Sequence, residues 1–187
     1  MIAAVASASL LGCGGTDHAR PMSATSGVAQ ADARNASVRL VLADVNATAL
    51  PRAYEPQVLR NRMERYVANG WVERRTRLVS DAIANVGGRA YTQPWTEAIT
   101  VGQWKSTRLK SGRADVKFIA METLSQRGRL VSLPLEQYTV RMAHERGRWM
   151  LVTYDKRWLR PEGPMAPSGR RDLARLPEHV VFKNPRL

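Results

Sequence analysis

Three glycine-centred turns, Ser111-Gly112, Arg127-Gly128-Arg129 and Arg146-Gly147-Arg148, divide the second half of the chain into four segments with a side-chain period of two. Glycine supplies the positive φ that tight hairpin turns require. Consecutive alternating segments joined this way pair as an antiparallel meander. Strands are predicted over residues 95–109, 114–124, 130–143 and 149–158. On the second, Val116, Phe118 and Ala120 share one face while Ile119 and Met121 lie on the other, so both faces are partly covered. On the third, Tyr138, Val140 and Met142 alternate with Gln137, Thr139 and Arg141, the pattern of a half-solvated sheet. Pro134 cannot donate a ladder hydrogen bond, which implies a bulge or an edge there. The alternation also assigns Glu122, Glu136 and Asp155 to solvent-facing positions.

The period upstream is different. Leu59, Met63, Tyr66, Val67 and Trp71 fall on one face of a helix that Pro56 opens. Asn69-Gly70 interrupts it. A second helix carries the stripe Leu78, Val79, Ala82, Ile83 and Val86 and ends at Gly87-Gly88. Residues 38–45 form a short apolar run that reads equally as a strand or a helix entry. Residues 16–37 have no apolar periodicity and read as a flexible tether. Residues 161–175 are Pro- and Arg-rich and read as irregular. Residues 179–182 suit a short docking strand.

Helices followed by a meander make an α+β unit in which the helices cover one face of a curved antiparallel sheet. This order over residues 53–160, with the ADVKF strand at 114–118, the QYTVRMA strand at 137–143 and the phrase ERGRWMLVTYD at 145–155, resembles the cone-shaped nuclear-transport-factor-2-like superfamily. The resemblance implies the fold class: N-terminal helices on a curved sheet, with a disordered N-terminal tether and an irregular C-terminal tail. Members include extracytoplasmic proteins associated with mammalian-cell-entry transporters, components of conjugation machines, SnoaL-like cyclases and ketosteroid-isomerase-like enzymes. The fold therefore does not choose the function.

The first residues carry an address. Residues 2–11 contain no charge, and the chain's only cysteine follows at Cys13. A short apolar run of this kind matches the core of a signal peptide and is too short to span a bilayer. Leu10-Leu11-Gly12-Cys13 resembles a bacterial lipobox. The resemblance implies processing that reads Leu10 and Gly12, cleavage before Cys13, and lipid on Cys13. Two departures stand beside it: Leu11 occupies a position where a smaller residue is commoner, and no Lys or Arg precedes the apolar run. The implied organisation is a signal peptide at 1–12, a lipidated tether at 13–37, a nuclear-transport-factor-2-like domain at 38–160 and a tail at 161–187. The implied location is the extracytoplasmic face of a membrane.

Chemistry is sparse. One cysteine excludes an internal disulfide, and three scattered histidines give no metal-ligand spacing. No P-loop, dinucleotide or nucleophile-elbow motif is present, and no cofactor is expected. An enzyme of the superfamily would need a carboxylate or a histidine inside the cone. The carboxylate candidates are Asp81 beside the apolar stripe, Asp115, Glu122, Glu136 and Asp155; His144 at a turn is the histidine candidate, with Trp104 and Tyr138 as pocket lining. Solvent exposure is the plainer reading of Asp81, Asp115 and His144. The 187 residues carry a formal net charge of +13, mostly arginine. Such a surface attracts anionic lipid or acidic partners. Nucleic acid competes for the same charge, but no DNA-binding motif is present. The leading expectation is a non-enzymatic envelope lipoprotein, an accessory or assembly module of a membrane complex with a protein partner. The alternatives are an enzyme or small-ligand binder using the cone cavity, and a conjugation component.

Overall fold

The computed structural model describes residues 24–90, 93–126, 128–159 and 169–184. Four helices and five strands are used below: α1 (Ala24–Ala49), α2 (Pro56–Met63), α3 (Val72–Val86), β1 (Trp95–Lys110), β2 (Arg113–Gln126), β3 (Arg129–Glu145), β4 (Arg148–Trp158), α4 (Gly169–Leu173) and β5 (Val180–Lys183). The strands form one antiparallel sheet in the order β4-β3-β2-β1-β5. Helices α1 to α3 pack on one face, so the α+β class expected from the sequence is the class observed.

The meander follows the turns that predict it. Gly112, Gly128 and Gly147 all take positive φ, and Arg146 does so as well at 54°. Two consecutive positive φ values at Arg146-Gly147 make the mirror-image turn whose twist matches a hairpin. The ladder breaks register three times along β1, once between β2 and β3 and once between β3 and β4. Such bulges bend strands and curl the sheet around the helices. The break in β3 falls at residues 133–134, beside Pro134, where a missing donor does no harm.

The largest difference from expectation is α1. It begins at Ala24, inside the stretch read as tether, and absorbs residues 38–45 without a break. Alanine-rich sequence with no Pro and no Gly beyond Gly27 is good helix material. Ala33, Ser37, Val38, Val41, Asp44 and Val45 are buried at steps of three and four. Ser37 and Asp44 are polar and Ala33 is small, which is why the stripe is faint in the sequence. Arg62 reaches back from α2 to the carbonyls of Ala47 and Leu50, at 3.1 and 3.4 Å, and to that of Pro51. These are orphan acceptors at the end of α1.

The main core lies between α1 and the concave face, with Phe118, Tyr138, Leu59, Met63 and Ile99 fully enclosed. A smaller cluster, Ile119, Met121 and Leu135 with Leu173 of α4, covers part of the convex face. Thus part of the region read as an irregular tail is docked. Strand β5 pairs with β1 along Ala98 to Val101, close to the position predicted for it. Among the described residues no helix is long and apolar enough to cross a membrane.

Candidate functional site

The period that puts Val116, Phe118 and Ala120 on the concave face carries Glu122 onto it as well. Glu122 and Glu136 are each 3% exposed. This overturns the expectation that both face solvent; Asp155 is exposed as expected. The misreading arose because β2 is covered on both faces, so its alternation does not name the wet one.

Tyr138 stands opposite Phe118 in the ladder and stacks on it, with ring centroids 4.9 Å apart. Its hydroxyl donates to Glu122 Oε1 at 2.5 Å and lies 2.8 Å from Glu136 Oε2. Lys156, across from Tyr138 on β4, closes the ring, its Nζ 2.9 Å from Glu122 and 3.2 Å from Glu136. Burial alone disfavours a charge on Lys156. The two carboxylates outweigh it, and its pKa rises above the ordinary lysine value. Burial pushes the Tyr138 phenol well up, and Glu122 and Glu136 push it the same way.

A second polar group lies beside the first. Asp44 of α1 is 2% exposed and accepts a two-pronged ion pair from Arg75 of α3. The Tyr66 hydroxyl donates to Asp44 at 3.3 Å, and the Arg75 guanidinium lies over the Tyr154 ring at 5.0 Å. Burial disfavours the Arg75 charge, but Asp44 raises its pKa nonetheless. Burial raises the Tyr66 and Tyr154 phenols, reinforced by the charge on Asp44. Residue 44 is buried on the stripe of α1, and the long Arg75 side chain reaches it from α3.

Both groups border one cavity of about 490 Å³ between α1, α3 and the sheet. Asp44, Arg75, Glu122, Tyr154 and Lys156 supply its polar wall; Val79, Ile83 and Val86 are among the apolar residues of α3 that line the other side. Leu78 and Val86 are exposed, so the apolar wall opens to solvent. Deeper than this mouth, the concave face is filled by side chains of the core.

Of the residues expected near a pocket, Tyr138 sits in the ring. Trp104 packs edge-on against Phe118 at 5.4 Å, behind the ring. Asp81 is exposed on α3 and does not line the cavity. His144 is exposed near the β3–β4 turn, edge-on to Trp149. Asp115 is exposed and 3.7 Å from Arg141. Leu10, Gly12 and Cys13 lie outside the described residues. Asp44, Arg75 and Lys156 were not singled out by sequence as site residues, and Glu122 and Glu136 were named as carboxylate candidates but assigned to solvent. Among the described residues no group of three or more His, Cys, Asp or Glu side chains is placed to hold a metal.

No protein-family model matches the chain, and no curated protein matches it. Two solved structures align with it. One, an NTF2 variant whose name records five substitutions, is 13% identical, with 67% of this chain and 97% of that one covered and a TM-score of 0.33. The other is an NTF2-like protein with a cystatin-like fold from Novosphingobium aromaticivorans, 13% identical, with 83% and 99% covered and a TM-score of 0.32.

Proposed function

We propose that the chain is a non-enzymatic, lipid-anchored module of a bacterial cell envelope, of nuclear-transport-factor-2-like type, that holds a small ligand at the mouth between α1 and α3 and serves a membrane complex. The observation that carries the binding role is the mouth cavity itself, with a polar wall backed by buried ion pairs and an apolar wall from α3. Pockets of this size and mixed character are where small ligands bind. A ligand that fits has an apolar body against Val79, Ile83 and Val86 and a polar end towards Lys156 and Glu122.

The absence of chemistry in this reading rests on how the groups are committed. A general base must present a lone pair to the substrate. One oxygen of each glutamate, Glu122 Oε1 and Glu136 Oε2, receives both Tyr138 and Lys156, and both Asp44 oxygens receive Arg75, with Tyr66 on one of them. The engaged oxygens hold these side chains in fixed positions. The anchor part of the reading rests on the Leu10-Leu11-Gly12-Cys13 pattern.

Two measurements test the two parts. Nile red, a small neutral dye, binds the mouth; Val79→Trp fills the space and weakens that binding at least tenfold, whereas Leu130→Trp at an exposed site on β3 leaves it unchanged. Equal binding by both variants sinks the binding role. In the native host, Cys13→Ala abolishes labelling by a fatty-acid probe and releases the chain from membranes. Labelling that persists sinks the anchor.

A further inference from the structure

The far end of the sheet from the mouth is basic, and the start of α1 lies on that side. Pairing of Arg113 with Ala143 brings the β1–β2 and β3–β4 turns side by side, and the His144 amide donates to the Gly112 carbonyl at 2.8 Å. Arg108, Lys110, Arg113, Arg146 and Arg148 are all exposed at these tips. Among the described residues none of the five forms an ion pair, while Asp115 and Glu145, the carboxylates beside them, are engaged by Arg141 and by the Asn69 amide. A cavity of about 720 Å³ opens between the tips and the start of α3. Leu109 and Trp71, 38% and 37% exposed, lie on its wall among the cations.

Helix α1 points its N-terminus the same way. Asp32 accepts from the Trp149 indole at 2.9 Å and Arg34 donates to Thr107 at 2.9 Å, both near the tips. Asn46, at the other end of α1, binds Thr96 at the start of β1. The helix continues eight residues beyond Asp32 to Ala24, about 12 Å further in the direction of the tips. Only ten residues separate Cys13 from Ala24, a span of at most about 40 Å.

We infer that this basic tip is the membrane-facing surface of the domain, docking on anionic phospholipid headgroups. The inference rests on the anchored reading for its orientation, and on charge for its partner. Cations within a Debye length of an anionic surface are attracted to it. A tryptophan and a leucine among those cations suit the headgroup boundary, where one side of a residue is apolar and the other wet. In this arrangement the ligand mouth faces away from the bilayer.

The test uses the full chain carrying Cys13→Ala, so that the acyl anchor contributes nothing and the remaining N-terminal segment is common to every arm. Co-sedimentation is measured with vesicles of phosphatidylcholine alone and of phosphatidylcholine with phosphatidylglycerol. The expected result is preference for the anionic vesicles, weakened about twenty-five-fold by Lys110→Gln with Arg113→Gln, at about fivefold per charge. Arg129→Gln with Arg175→Gln removes the same charge elsewhere and has little effect. Circular dichroism melts confirm that both pairs fold. Equal loss in both pairs, no preference for phosphatidylglycerol, or tighter binding to a DNA duplex at the same salt each overturns the proposal. Because Cys13 is absent from the assay, these outcomes are independent of whether the chain is acylated.

Discussion

Lys156 is the residue on which the deep ring depends. Among the described residues it is the one cation in contact with Glu122 and Glu136, two carboxylates almost wholly removed from water. Removing one partner of a buried ion pair leaves the other uncompensated, typically at 3–5 kcal/mol. The Lys156 side chain is 34% exposed, so water screens part of that. Lys156→Met is therefore expected to cost about 2 kcal/mol in a urea melt. Adding Glu122→Gln to that variant should restore about half, since it removes one of the stranded charges. A neutral outcome for Lys156→Met would show that the ring contributes no stability. The ring was only half legible in the sequence. Tyr138 was singled out, and the face of Glu122 follows from Val116, Phe118 and Ala120. That Lys156 meets both glutamates depends on strand register, which one sequence does not state.

At the scale of the element, α1 is held to the sheet by a short polar bracket at its C-terminal end. The Asn46 amide donates to the Thr96 carbonyl at 2.9 Å and its oxygen accepts the Thr96 amide at 2.8 Å, with Asn46 3% exposed. It pairs with Thr96 as a neighbouring strand would. Asn46→Ala strands two buried backbone groups, each worth about 1–3 kcal/mol. The expected loss is about 3 kcal/mol, measured by denaturant titration, with earlier hydrogen exchange at Thr96. Retained protection at Thr96 would show that another donor takes over. A different segment covers part of the β4 edge. There the α2–α3 linker bonds Leu151 through Tyr66 and Ala68, leaving less open edge to recruit another strand.

Across the whole molecule, the buried phenols and Lys156 set a common pH response. Tyr66, Tyr138, Tyr154 and Lys156 all have raised pKa values in the fold, so the folded chain holds protons that the unfolded chain releases first. Their contribution is complete below the unfolded values, about 10 for tyrosine and 10.4 for lysine. It is lost as the pH rises through the higher folded values. Urea midpoints are therefore expected to stay flat through neutral pH and to fall steeply above about pH 10. Tyr138→Phe removes one such group and should make that fall shallower, although it starts from a less stable protein. An unchanged slope would mean that Tyr138 titrates in the fold as it does in water.

What the sequence determined by itself was local. Gly112, Gly128 and Gly147 mark turns because positive φ is a property of single residues, and the period of two between them follows from strand geometry. Gly87 and Pro56 bound helices for the same kind of reason. Tertiary structure decided the rest. It made residues 24–49 one helix, because burial of Ala33, Ser37 and Asp44 has no apolar signature. It turned Glu122 and Glu136 inward, because only the third dimension supplies Lys156. Pairing Asp44 with Arg75, thirty-one residues away, needed the fold to bring side chains of two helices together before either charge could leave water.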